Sequence, residues 1–171
     1  MTTSVEEHRM SAPATVQCFI LTISDTRTEE TDTSGALIQQ LLEEHGYSKA
    51  GYAIVPDDYE HIRQLLHEIA SDPHIEAILL SGGTGVSPRD TTYEAVRSLL
   101  TKELPGFGEL FRYLSFTEDV GSAALLSRAI AGTIGSTAVF SMPGSTGAVK
   151  LAMNRLILPE LRHVMRELYK L

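Results

Sequence analysis

The residues best suited to chemistry in this sequence lie in one short segment, residues 81 to 92, which reads SGGTGVSPRDTT. The segment follows an apolar run and precedes a helical pattern. Glycine adopts positive φ without steric cost, so successive backbone N–H groups can converge there on one anion, assisted by the dipole of the following helix. The pattern favours a phosphate site, although a tight strand-to-helix turn without a ligand would also need glycine. The residues of this glycine loop are Gly82, Gly83, Thr84 and Gly85.

Neither of the two familiar phosphate-binding motifs fits the glycine loop. No lysine lies between Lys49 and Lys102, so the Gly-Lys-Ser/Thr ending of a P-loop is missing. Pro88 stands where the Gly-x-Gly-x-x-Gly motif of dinucleotide-binding folds has its third glycine. The nature of the bound anion must therefore be argued from residues elsewhere in the chain.

Three aspartates, Asp25, Asp57 and Asp90, follow predicted strands or the glycine loop and are expected at the same edge of the sheet. Each one alone would more often be a cap or turn residue. Carboxylates beside a phosphate repel it unless a hard cation lies between them, and Mg²⁺ bound by one or two carboxylates and phosphate oxygens is the usual arrangement. The three together favour a metal–nucleotide site.

A second anion site is predicted at the corner Pro143-Gly144-Ser145, where another strand gives way to a helix with free N–H groups. Ser127 is followed by Arg128, whose guanidinium could donate a fork of hydrogen bonds to a phosphate or carboxylate. A surface ion pair is the alternative for this arginine. Ser24, at the end of the first strand, completes the set of candidate substrate-binding residues.

The elements that must position these residues alternate between strands and helices. Apolar, β-branched runs predict four strands, at 16–23, 52–55, 75–80 and 137–142. Apolar residues at helical spacing predict helices around 37–42, 62–69 and 95–100, a strandless helical stretch over 105–130 broken near Gly121, and a final helix over 148–169 interrupted at Pro159. This alternation predicts an α/β sandwich with a mostly parallel sheet.

The composition is that of an acidic globular protein. The chain has 171 residues, a formal net charge of -8 and a sequence pI of about 5.2, so it lacks the basic surface on which nucleic-acid binding depends. Residues 1 to 14 contain no apolar signal segment and are expected to be a flexible tail before a single domain over 15–171. No apolar run approaches the ~20 residues of a membrane span, so we expect a cytoplasmic protein that does not enter the membrane.

The only cysteine, Cys18, lies within the first predicted strand. A single cysteine excludes an internal disulfide and cannot form a zinc site by itself. We interpret it as a small buried hydrophobic residue rather than a nucleophile.

Six motifs in a fixed order closely resemble the MoaB/MogA family of molybdenum cofactor biosynthesis proteins, which includes the gephyrin G domain. The similarity runs from about Thr15 to the C-terminus. Residues 105–112, 114–116 and 144–146 look most like the MoaB branch. The six motifs are Ile23-Ser24-Asp25, Asp32-Thr33-Ser34-Gly35, Pro56-Asp57-Asp58, Gly82–Gly85 with Arg89-Asp90, Ser127-Arg128-Ala129 with Gly132, and Met142–Ser145.

The resemblance implies a three-layer αβα domain that adenylylates molybdopterin with Mg-ATP and releases pyrophosphate before molybdate is inserted. It implies that Asp57 and Asp90 are essential and that Ser127 belongs to the site. It also implies a homotrimer or homohexamer and a molybdate-inserting MoeA-like protein as a partner.

Two features bear on how closely the chain follows the family, one in the expected pterin contacts and one after the glycine loop. Where the family commonly has Gly-Ile-Arg-Gly, this chain reads Gly132-Thr133-Ile134-Gly135, so an expected basic contact is missing. Some MoaB-branch proteins lack the aspartate after the glycine loop, whereas this chain keeps Asp90. The alternatives to an adenylyltransferase are a catalytically silent molybdopterin-binding oligomer or carrier and, more distantly, an unrelated nucleotide-binding domain.

Overall fold

The computed structural model describes residues 13 to 170 together with Ser4 and Glu6. The flexible tail predicted for residues 1 to 14 therefore lies largely outside the described residues. Within them, no helix is both long and apolar enough to cross a bilayer.

A six-stranded sheet forms the centre of the domain. Its spatial order is β2-β1-β3-β6-β5-β4. The first four strands in that order pair in parallel, whereas β5 runs antiparallel to both of its neighbours, β6 and β4. The predicted mostly parallel sheet is confirmed. The strands are β1 (Gln17–Ile23), β2 (Ser48–Val55), β3 (Ala77–Ser81), β4 (Lys102–Glu103), β5 (Ile130–Ile134) and β6 (Thr137–Met142).

Helices cover both faces of this sheet, which makes three layers. The helices are α1 (Thr33–Glu44), α2 (Tyr59–Ser71), α3 (Thr92–Leu99), α4 (Pro105–Glu118), a 3₁₀ helix (Gly121–Leu126), α5 (Thr146–Ala152), a π turn (Met153–Ile157) and α6 (Leu158–Leu168). Side chains alternate along each strand, so Ile20 belongs to the core shared with α1, α4, α5 and α6, and Leu21 to the core shared with α2 and α3. The αβα sandwich is thereby confirmed.

The prediction of only four strands is wrong, because the sheet also contains β4, in a segment for which no element was predicted, and β5, which begins where the predicted helical stretch ends. β5 and β6 form a hairpin in which Ile134 faces Thr137 across the two-residue turn Gly135-Ser136. Gly135 has φ 58°, which a tight hairpin turn requires and glycine supplies without strain. Ala129 and Ile130 match a helical face as well as a strand, so spacing alone could not separate the two.

The C-terminal helix is interrupted, as predicted, next to Pro159. The chain widens into the π turn at Met153–Ile157, and α6 begins at Leu158 with the proline in its first turn. Proline donates no backbone N–H and its ring clashes with the carbonyl four residues earlier, so a wider turn before it removes the conflict.

Candidate functional site

The corners predicted to bind anions meet at one edge of the sheet. Gly82 and Gly83 have φ of 107° and 65°, in the left-handed region that favours glycine. The Gly82 N–H donates to the Met142 carbonyl at 3.0 Å. A Cβ at Gly144 would lie 3.3 Å from the Gly82 Cα, so the glycine loop and the second corner touch through their backbones. Gly82 requires glycine because of its φ and because a Cβ there would overlap the Ile23 carbonyl oxygen, whereas a Cβ at Gly144 would need only a small displacement.

The carboxylates of Asp57 and Asp90 lie against adjacent parts of the glycine loop. A Cβ placed on Gly83 would overlap the Asp57 Oδ2, and one on Gly85 would come within 2.7 Å of the Asp90 Oδ2. The hypothesis of a site between these aspartates requires both to face the loop. The structure places both of them there.

Asp57 is buried, and its two carboxylate oxygens have different surroundings. Its Oδ1 accepts hydrogen bonds from the Thr91 N–H at 3.0 Å and the Thr91 Oγ1 at 2.6 Å. Its Oδ2 lies beside Gly83 and close to the Thr92 Oγ1, a fully buried hydroxyl without a hydrogen-bond partner. An unpaired buried hydroxyl is costly, so this place suits a group that would satisfy it.

The carboxylate oxygens of Asp57 and Asp90 fit Mg²⁺ only if further oxygen ligands come from a bound substrate or water. Carboxylate and hydroxyl oxygens are the hard donors that this ion prefers. Over residues 13–170, however, no three His, Cys, Asp or Glu side chains are close enough together to hold a metal by themselves. Asp90 Oδ2 also accepts the Ser87 N–H at 3.0 Å, which is the turn role considered as its alternative. An ion at this place would need phosphate oxygens or water as further ligands.

A cleft of about 350 Å³ lies between the two corners, with the end of α4 and the 3₁₀ helix as its third wall. It brings together most of the predicted site residues, namely Gly83, Thr84, Gly85, Asp90, Ser127, Pro143, Gly144 and Ser145. The Ser145 Oγ also accepts the Ala148 N–H at 3.2 Å and so caps α5.

The cleft contains residues that the sequence analysis did not identify. Phe111, Ser115, Asp119 and Val120 come from α4 and the turn after it, and Ala123, Ala124 and Leu126 from the 3₁₀ helix, with Ala148 on α5. The sequence analysis treated the stretch 105–130 as helical and assigned none of these residues to the site. In the sheet, β6 lies between β3 and β5, and this order brings α4 and the 3₁₀ helix over the glycine loop. The spacing of residues along the sequence does not reveal the order of strands.

Five predicted residues, Ser24, Asp25, Asp57, Gly82 and Arg128, do not line this cleft. Asp25 accepts two hydrogen bonds from the Arg89 guanidinium, at 2.8 and 2.9 Å, and a third from the Asp57 N–H at 3.0 Å. The Arg89 bonds and the Asp57 amide lower the pKa of Asp25. Ser24 accepts the backbone N–H of Arg27 at 3.1 Å. The Asp25 side chain therefore links the end of β1 to Asp57 and Arg89, and the Ser24 side chain stabilises the turn that follows β1.

Arg128 binds the protein backbone. Its Nε donates to the Gly85 carbonyl at 2.8 Å and its Nη2 to the Asp90 carbonyl at 3.1 Å. The guanidinium also pairs with Glu94 and lies 5.1 Å from the centre of the Tyr93 ring. The Arg128 guanidinium thereby fixes the loop that carries Asp90 and places a positive charge next to the backbone of that loop.

A second cleft, of about 500 Å³, lies on the other side of Asp90. Asp90 lines both clefts and therefore lies between them. The remaining lining residues are Tyr59, Val86, Ser87, Pro88, Thr91, Glu94 and Arg128.

Comparison with known proteins gives consistent matches over nearly the whole chain. Residues 19–163 match the family profile described as a probable molybdopterin binding domain. The chain is 64% identical over 167 residues to molybdenum cofactor biosynthesis protein B of Halalkalibacterium halodurans and 56% identical to that of Bacillus subtilis, with 98% of both partners covered in each comparison.

Solved structures show the same fold. A crystal structure of molybdenum cofactor biosynthesis protein B, 57% identical, superimposes with a TM-score of 0.90 over 93% of this chain and 99% of its own. The tungsten cofactor synthesizing protein MoaB from Pyrococcus furiosus, 36% identical, gives 0.81 over 93% and 100%. MogA, 30% identical, gives 0.79 over 89% and 99%.

The matched region contains both glycine corners and every predicted site residue from Ser24 to Ser145. The relatives and the solved structures carry names from molybdenum or tungsten cofactor biosynthesis. The chain therefore belongs to the MoaB/MogA family of molybdenum cofactor biosynthesis proteins, with its strongest similarity to the MoaB branch.

Proposed function

We propose that this protein adenylylates molybdopterin in the cytoplasm, using Mg-ATP and releasing pyrophosphate. The observation that carries the proposal is the convergence of two glycine corners and two aspartates on one edge of the sheet, with Asp90 lining both clefts. Membership of the MoaB/MogA family supports molybdopterin as the substrate.

The reaction joins two anions. An oxygen of the terminal phosphate of molybdopterin attacks the α-phosphorus of ATP, a new P–O bond forms, and the bond to the β-phosphate oxygen breaks to release pyrophosphate. The nucleophile is already ionised, so no strong general base is needed. The protein must instead align the two phosphates and offset their repulsion, which is the main task of enzymes that transfer phosphoryl groups.

We assign the roles by position. The glycine loop, residues 82 to 85, binds nucleotide phosphates, and the corner 143–145 with Ser127 binds the pterin side. Asp57 and Asp90 would hold Mg²⁺, which when bound neutralises phosphate charge. Asp25, through Arg89, and Arg128, through the Gly85 and Asp90 carbonyls, hold the glycine loop and the segment after it, and Ser24 stabilises the turn after β1.

The decisive experiment measures pyrophosphate release from purified protein, molybdopterin and Mg-ATP. Asp57→Asn and Asp90→Asn should each lower the rate by about a hundredfold or more, as loss of one electrostatic group in an active site does. Asp58→Asn is the matched control: it removes the same charge one residue away, and asparagine also caps helices well, here α2. Equal activity of all three variants would contradict the proposed site.

The competing function is that of a molybdopterin-binding carrier without adenylyl transfer. It is favoured by the turn hydrogen bond that the Asp90 carboxylate already makes to the Ser87 N–H. Binding of molybdopterin without pyrophosphate release in the same assay would establish this function and exclude the enzyme.

We also propose that the protein forms a homotrimer or homohexamer and passes its product to a MoeA-like protein. An apolar surface supports the assembly: six large hydrophobic side chains are at least half exposed on α4 and the segment after it. They are Leu110, Tyr113, Phe116, Val120, Leu125 and Leu126.

A further inference from the structure

Arg27, at the end of β1, joins two distant parts of the chain. Its Nη2 donates to the Gly144 carbonyl at 3.2 Å, across 117 residues of sequence. Its Nη1 donates to the Ser34 Oγ and lies 3.5 Å from the Asp32 Oδ1. One planar guanidinium thus connects the second corner of the cleft to the start of α1.

The other end of this link is a rigid anchor. Asp32 is buried, and its Oδ2 accepts the Thr22 Oγ1 at 2.6 Å and the Tyr52 hydroxyl at 2.7 Å. Its Oδ1 accepts the Gly35 N–H at 3.0 Å as the N-cap of α1. A carboxylate held by several donors within a packed core cannot turn freely, so it keeps the guanidinium in one orientation.

The Gly144 carbonyl controls the direction of an N–H group in the cleft. The peptide bond is planar and trans, so the carbonyl of Gly144 and the N–H of Ser145 point in opposite directions within one plane. Gly144 and Ser145 line the cleft, whereas Arg27 does not. A carbonyl turned toward Arg27 therefore directs the Ser145 N–H away from Arg27, and Ser145 is one of the residues that line the cleft.

We propose that Arg27 is a positioning residue that sets the orientation of the Gly144-Ser145 peptide, so that the corner presents its N–H group to an anionic part of the substrate. Arg27 does not touch the substrate. Arg128 holds the glycine loop in a comparable way, through the carbonyls of Gly85 and Asp90. The identity of the anion as molybdopterin rests on the proposed function, but the link between Arg27 and the corner does not.

The test compares Arg27→Met and Arg27→Lys with the control Tyr52→Phe. Tyr52→Phe removes a hydrogen bond from the same buried carboxylate and leaves the contact with Gly144 intact, so it reproduces any general weakening of the Asp32 network. Hydrogen exchange of the segment 143–148 should be about tenfold faster in Arg27→Met, intermediate in Arg27→Lys and near wild type in Tyr52→Phe.

The dissociation constant for molybdopterin, measured by titration, should rise about tenfold in Arg27→Met and stay near wild type in Tyr52→Phe. A fraction of misfolded protein would instead reduce the number of binding sites without changing their affinity. Should Arg27→Met fail to fold, Arg27→Lys gives the same comparison with a smaller expected change.

Unchanged exchange at the corner, or equal changes in the Arg27 and Tyr52 variants, would overturn the positioning role. Wild-type protein that binds no molybdopterin would overturn the proposed function instead. The exchange measurement would still decide the role of Arg27 in that case, because it needs no ligand.

Discussion

At the scale of single residues, the glycine loop depends first on space for its backbone. Gly82 combines φ 107° with a direct approach to the Ile23 carbonyl oxygen, which a Cβ would overlap. Gly121 has φ 62° but nothing within 4 Å of the same position. Comparing alanine variants at Gly82 and Gly121 therefore separates the energetic cost of backbone strain from that of steric overlap.

Gly121→Ala should lower the free energy of unfolding by about 1 to 2 kcal/mol, the cost of a left-handed conformation for a residue with a side chain. Gly82→Ala should cost more than about 3 kcal/mol, because the new methyl group must also displace the end of β1. Urea denaturation measures both. Equal losses would show that the approach to Ile23 imposes no constraint.

The unpaired hydroxyl of Thr92 allows a test in which stability and function change in opposite directions. Thr92→Val keeps the shape of the side chain and removes a buried polar group, so the free energy of unfolding should stay constant or rise by about 1 kcal/mol. If this hydroxyl contacts the bound substrate or its ion, pyrophosphate release should fall about tenfold. Full activity in the valine variant would remove Thr92 from the proposed site.

Asp32 should make the stability of the protein depend on pH in the acid range. Burial alone would raise the pKa of this carboxyl, but hydrogen bonds from Thr22, Gly35, Tyr52 and Ser34 outweigh it and lower the pKa below its ordinary value of 3.8. The charged form is thus favoured by folding, and its stabilisation is present above about pH 4 and lost as the pH falls toward the lowered pKa.

Asp32→Asn should therefore cost about 2 kcal/mol or more at pH 7, and less at pH 3, because asparagine does not titrate. Denaturant unfolding of both proteins at the two pH values measures the difference. A cost that is the same at pH 3 and pH 7 would contradict a charged Asp32 in the folded state.

At the scale of elements, strands and helices with a clear apolar period were predicted well, and short or ambiguous ones were not. Apolar runs predicted the strands β1, β3 and β6, and helical spacing predicted α1, α2 and α3. Together these elements form most of the parallel part of the sheet and helices that cover it. β5 was missed because its five residues fit either period, and β4 because two exposed residues carry no pattern. The turn Gly135-Ser136 was the available signal, since such a pair between apolar runs is typical of a hairpin.

At the scale of the whole molecule, the exposed apolar surface on α4 and the 3₁₀ helix lies beside the cleft. Leu125 is 86% exposed, which is unusual for a leucine in a monomeric protein when other apolar side chains adjoin it. We expect light scattering to give a mass of three or six times 18.7 kDa.

Leu125→Glu should shift the mass toward that of a single chain, because a charge in an apolar interface is costly to bury. Ala36→Glu, an exposed position on α1, is the control and should leave the mass unchanged. A single-chain mass for the unaltered protein would contradict the proposed assembly.

The sequence by itself determined the class of fold, the family and the glycine corners that we propose as the site, because these depend on local properties: apolar period, glycine at left-handed turns and short motifs. Only the tertiary structure decided which of those residues share a cleft. It placed Asp119 and the 3₁₀ helix over the glycine loop and joined Arg27 to Gly144. Such contacts arise from the order of strands in the sheet, which brings segments as far apart in the chain as Arg27 and Gly144 next to each other and leaves no periodic trace along the chain.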